Sequence, residues 1–149
     1  MARAFSIVEL LIVAAIIGIL AAIVLPTISG QTVEAKEAAA RDNLRILRSA
    51  IELYAAQHRG VAPGYAGDDP QAGASEATFR QQMVTDDGYL RSLPENPFNG
   101  LDTIYVIGNS ESLPPAATGT YGWIYKPSVQ TIRLDWPGST PDGVPYYDL

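Results

Sequence analysis

The chain has 149 residues with no cysteine, one histidine, and 16 acidic against 10 basic side chains, a formal net charge of -6. Without cysteine neither a disulfide framework nor a thiolate metal site can form, so stability outside the cytoplasm must come from packing, hydrogen bonding or a hard cation. The acidity lies mainly beyond Gly60, where eleven acids face only Arg80, Arg91, Lys126 and Arg133; that balance disfavours nucleic acid as a partner, and the length suits one small globular head.

The first four residues, Met1-Ala-Arg-Ala4, are short and basic, and an apolar run from Phe5 to Pro26 follows them. Leu10 to Leu25 is sixteen residues without a polar side chain, and with Phe5 to Glu9 the run approaches the roughly 20 residues that span a hydrocarbon core. A short cationic flank before an apolar helix is held on the cytoplasmic side, so the head is expected to be exported. A cleaved secretory signal is the ordinary reading of such a start. Glu9 and the helical sequence that follows argue against it.

A carboxylate at the centre of a bilayer helix costs roughly 2.5–3.5 kcal/mol, and intramembrane ionisable groups usually have a partner. No Lys, Arg or His lies between Arg3 and Lys36. A cut before Phe5 would supply one, because the new α-amino group of one subunit can meet Glu9 of the next inside a packed bundle. The site therefore makes sense in an assembly.

This stretch resembles the N-terminus of type IV pilins and pseudopilins, in which a prepilin peptidase removes a short basic leader before filament assembly. With Phe5 as the first mature residue, Glu9 is fifth and Pro26 twenty-second, where the family has Glu and Pro. Ala14, Ala15, Gly18, Ala21 and Ala22 fall where it places small residues, whereas Ala4 stands where it has Gly. The resemblance implies leader cleavage between Ala4 and Phe5, N-methylation of Phe5, and assembly through Phe5, Glu9 and Pro26. It further implies the peptidase, an inner-membrane platform and an ATPase as partners.

Pro26 is expected to kink or open the helix without necessarily ending it. From Gln31 to His58 the pattern becomes amphipathic, with Leu44, Leu47, Ile51 and Tyr54 on one stripe. Glu37 and Arg41 form a favourably oriented i,i+4 pair, worth about 0.2–0.5 kcal/mol. Together the pieces predict a helix over Phe5 to His58, on the order of 80 Å long at about 1.5 Å per residue.

Gly60 stops that helix, and ten of the eleven prolines and ten of the thirteen glycines lie beyond it. Ala74 to Val84 predicts a short helix capped by Ser75, with Phe79 and Met83 on one face and Asp86-Asp87-Gly88 ending it. Thr103–Ile107, Tyr121–Lys126 and Thr131–Leu134 read as strands, the last two a hairpin around Pro127 to Gln130. Tyr121, Trp123 and Tyr125 are expected on one face, Ile124 on the other. The fold expected is α+β, a long helix, transmembrane then amphipathic, packed on a small antiparallel sheet.

No catalytic motif is present, and the chain reads as a non-enzyme. His58, at the helix end, suits a capping role. Asp68-Asp69, Asp86-Asp87, Asp102 and Asp142 can offer oxygen ligands to Ca²⁺, but in no recognised loop spacing, and solvated turn aspartates are the simpler reading. No cofactor is expected beyond a Ca²⁺ in a head loop. Tyr89 to Gly100 resembles the turn of major type II secretion pseudopilins that precedes a calcium-binding loop, with Asn96 and Phe98 in place of Asp and Trp. The same residues also read as a rigid turn leading into the Thr103 strand.

The organisation expected is a leader over 1–4, a transmembrane and polymerisation segment over 5–30, an amphipathic half over 31–59 and a loop-rich head over 60–149. The subunit is expected in the inner membrane as a precursor and in a homopolymeric filament once assembled. Two uses stay open, a surface pilus for adhesion or motility and a periplasmic pseudopilus for protein secretion. A signal-anchored monomeric binding domain is the reading from another class.

Overall fold

The computed structural model of the protein describes residues 6–84 and 88–149, and the side chains of all of these except residues 21–32. Helix α1 runs over Ile7–Gln57, within a residue or two of the sequence expectation at each end, and passes through Pro26 and Gly30 without ending. The chain divides into two compact units, Met1–Lys36 and Glu37–Leu149.

In the second unit, the stripe read from the sequence is the buried one. Leu44, Leu47, Ile51 and Tyr54, joined by Ala40 and Ala50, lie in the main core. Opposite them, helix α2 (Glu76–Met83) contributes Phe79 and Met83. Ser75 caps α2, its Oγ accepting from the Thr78 amide at 3.2 Å. Strand β1 is Ile104–Val106, β2 Trp123–Lys126 and β3 Thr131–Leu134, in spatial order β1-β2-β3. Truncating a buried leucine or isoleucine of this core to Ala costs about 2–5 kcal/mol.

The sheet is mixed, which corrects the antiparallel expectation. The β2–β3 hairpin is antiparallel as read, with Gln130 in the left-handed region at φ 51°, but β1 pairs with β2 in parallel, Ile104 against Trp123 and Val106 against Tyr125. Parallel neighbours need a crossover of a dozen or more residues, and residues 107–122 supply it. Strand patterning cannot distinguish the two, because alternation is the same in both directions.

Tyr121 also departs from the expected face. It precedes β2 and stacks on Tyr105, ring centroids 5.2 Å apart, while Tyr105 is the register partner of Ile124. The cause is Gly122, whose amide bonds to Thr103 O at 3.0 Å and where a Cβ would stand 2.2 Å from Leu101 O. The backbone passes too close there for strand alternation to extend back to Tyr121. Trp123 and Tyr125 do face the helix, and Ile124 joins Ile107 and Tyr147 in a smaller cluster on the other side.

Candidate functional site

Ala4 and Phe5, the expected cleavage and methylation positions, lie outside the described residues, as does the side chain of Pro26. Glu9 sits in the first turn of α1 and is exposed, where a carboxylate complements the positive end of the helix dipole. Around it, Ile7, Val8, Leu10 to Val13, Ile16, Ile17, Ile19 and Leu20 are all between 48% and 81% exposed. A helix apolar on every side is a buried or membrane element, yet among the described residues these side chains are exposed. Among the described residues no helix is long and apolar enough to cross a membrane; the described side chains of the run stop at Leu20.

The head is locked by two side chains the sequence reading did not recognise as central. Asn96 is fully buried; its Nδ2 donates to Gly122 O at 3.1 Å and Asp135 O at 3.4 Å, and its Oδ1 accepts from the Phe98 amide at 3.0 Å. The turn from Tyr89 to Gly100 is therefore the rigid element expected, and Trp123 fastens to it by donating Nε1–H to Pro94 O at 2.9 Å. Phe98 stacks against Trp136 and packs on Tyr146.

Asp135, at the end of β3 and fully buried, accepts at Oδ1 from the amides of Thr118 (2.6 Å) and Gly119 (3.0 Å). At Oδ2 it accepts from the Tyr121 amide (2.9 Å) and the Thr118 hydroxyl (3.0 Å). One carboxylate thus closes the late part of the β1–β2 crossover onto the sheet. Only the sequence Asp-Trp-Pro-Gly just after a strand hints at it, and that signal reads equally well as a solvated turn.

The other acidic candidates are spread apart. Asp102 pairs with Arg80 at 3.1 Å, and that guanidinium holds its carboxyl below the usual range. Asp68 accepts from Tyr54 Oη at 2.5 Å and Gln82 Nε2 at 3.2 Å, and Asp69 accepts from the Gln71 amide. Asp86 and Asp87 lie outside the described residues. Among the described residues no three His, Asp or Glu side chains gather as a metal-binding group. His58 takes the capping position: Nδ1 is 2.8 Å from the Tyr54 carbonyl, and its ring stacks on Tyr54 at 3.9 Å. Glu37 and Arg41 form the i,i+4 pair read from the sequence, at 2.9 Å.

A helix that begins as an exposed apolar segment bearing one early carboxylate, and continues as the spine of a small α+β head, defines a pilin-like subunit. The comparisons agree with that class. The chain is 24% identical over 145 residues to the type II secretion system core protein G of Aeromonas hydrophila, covering 97% of this chain and 92% of that protein. It is 27% identical to the same-named protein of Escherichia coli over 80% of this chain and 77% of the other, and 26% identical to that of Pseudomonas aeruginosa over 63% and 66%. These relatives, at low identity, support the likeness to pilins and pseudopilins. No family model matches it, and no solved structure does.

Proposed function

We propose that this protein is the structural subunit of a pilus-like helical filament, and that the filament is the pseudopilus of a type II secretion system. The first statement is carried by one observation: ten large apolar side chains around Glu9 are exposed in a single copy. At about 25 cal/mol per Å² of apolar surface removed from water, such a segment is driven into lipid or against other copies. The second is favoured by the relatives, all named type II secretion system core protein G, over the surface pilus.

In this reading the chain is an inner-membrane precursor with its head in the periplasm. A prepilin peptidase cuts between Ala4 and Phe5 and methylates the new amine, and α1 then leaves the bilayer to pack with others. Glu9, costly in lipid, meets the Phe5 amine of a neighbour, which fixes the register of each incoming subunit. Head-to-tail contacts that do not close into a ring give the open helical polymer. The role is structural, and no catalytic step is assigned.

The test is to image filaments sheared from cells overproducing the protein, alongside mass spectrometry of its N-terminal peptide. Filaments of chains starting at methylated Phe5, lost in Glu9→Val, are expected. Normal filaments from Glu9→Val, or an intact Met1 start in assembled protein, would overturn the mechanism.

A further inference from the structure

His58 is the single histidine of the chain, and capping α1 uses only one side of its ring. Nδ1 lies 2.8 Å from the Tyr54 carbonyl. A carbonyl only accepts, so Nδ1 carries the ring hydrogen and the neutral imidazole keeps its lone pair on Nε2. Stacking on the Tyr54 ring at 3.9 Å fixes the plane of the imidazole. Nε2 then faces Asp68 Oδ2 at 3.9 Å, beyond hydrogen-bond distance. Asp68 is oriented in the same manner. Its Oδ1 accepts from Tyr54 Oη at 2.5 Å and Gln82 Nε2 at 3.2 Å, which leaves Oδ2 for the gap. Gln82 is itself anchored, donating to Tyr65 O at 2.8 Å and accepting from the Gly64 amide at 2.6 Å. Two electron-pair donors are thus held opposite each other, on the wall of a cavity of about 350 Å³ and with side chains 32% and 37% exposed.

We propose that His58 Nε2 and Asp68 Oδ2 bind a divalent ion of the zinc or copper type, with water in its remaining positions. Zinc holds an imidazole nitrogen at about 2.0–2.1 Å and a carboxylate oxygen at about 2.0–2.2 Å, so two ligands of one ion stand no more than about 4.3 Å apart. The observed 3.9 Å lies within that span, and closing the gap to about 3.4 Å gives the tetrahedral angle. The surroundings also fit: a ligating histidine donates its other N–H to a carbonyl or carboxylate, and a ligating carboxylate is itself hydrogen-bonded. Imidazole suits zinc and copper, whereas Ca²⁺ takes oxygen ligands, so this site is distinct in chemistry from any calcium loop. Two protein ligands, with Arg59 lining the same cavity, make it weaker than a closed four-ligand site. The bound ion ties the end of α1 to the Ala66–Asp68 turn.

A single histidine makes the site directly measurable. Zn²⁺ titrated into the detergent-solubilised full chain at a pH of about 7.5, where an imidazole is ordinarily neutral, should shift Nε2 in long-range nitrogen–proton NMR and leave Nδ1 protonated. Ca²⁺ should move neither nitrogen. Asp68→Asn, whose amide oxygen can still accept from Tyr54 Oη, should need at least about tenfold more Zn²⁺ for the same shift. The wild type alone supplies a second reading, which decides the matter if Asp68→Asn does not fold. Paramagnetic Cu²⁺ should broaden the amide signals of His58, Gly67 and Asp68 before others in the head. A His58 signal unmoved by Zn²⁺, an equal Zn²⁺ requirement in folded Asp68→Asn, or Cu²⁺ broadening that starts elsewhere in the head would overturn the site.

Discussion

Asn96 donates its amide Nδ2 to the carbonyl of Gly122 at 3.1 Å, and through that bond the turn before β1 is tied to the entrance of β2. The contact is between two backbone-crowded sites: Gly122 has no room for a side chain, and Asn96 has no exposure to water. It also explains why an amide stands here. A carboxylate offers only acceptors, and would set them against the carbonyls of Gly122 and Asp135.

Asn96→Asp is accordingly expected to destabilise the head by about 1–3 kcal/mol, the cost of a buried polar group facing the wrong partner. Denaturant unfolding of the detergent-solubilised full chain, followed by tryptophan fluorescence, measures it. A variant as stable as the wild type would show that the turn tolerates either side chain.

Asp135→Asn tests the second lock. The amide's oxygen can replace one carboxylate oxygen toward Thr118 and Gly119, but its NH₂ then confronts the Tyr121 N–H, now 2.9 Å from Oδ2. A loss of about 1–3 kcal/mol is expected, with faster hydrogen exchange confined to residues 118–121. Uniform exchange across the sheet would contradict a local latch.

Tyr125 is fully buried against Phe79, and its hydroxyl has no hydrogen-bond partner among the described residues. Tyr125→Phe should therefore be neutral or stabilising by up to about 1 kcal/mol. Burial pushes this phenol far above its ordinary range. A raised folded value means its contribution is fully present below the ordinary phenol pKa near 10 and is lost as pH rises beyond it. Phe at this position should make the alkaline loss of stability shallower, as thermal melts from pH 8 to 11 would read.

Arg80 bonds Glu76 at 2.9 Å and Asp102 at 3.1 Å, and lowers the Asp102 carboxyl below its usual range. The contribution of Asp102 is thus complete above the ordinary carboxylate pKa near 4 and lost as pH falls through the lowered value. Both partners are partly exposed, so the effect is less than about 1 kcal/mol. Arg80→Gln should lower stability at pH 7 by less than about 1 kcal/mol and flatten the acid limb of the melting curve below pH 4, where the two chains converge.

The sequence by itself determined the elements whose cause is local. Helical spacing marked Leu44, Leu47, Ile51 and Tyr54 as the core stripe, Ser75 marked the start of α2, and the Pro127 to Gln130 turn marked the hairpin. It also singled out Glu9, because one carboxylate in an apolar run is expensive wherever the run is buried. Tertiary structure alone decided the parallel pairing of β1, the displacement of Tyr121, and the roles of Asn96 and Asp135. Strand direction depends on how a long crossover returns. The function of a buried polar side chain depends on which backbone groups converge on it, and these come from segments up to 39 residues apart.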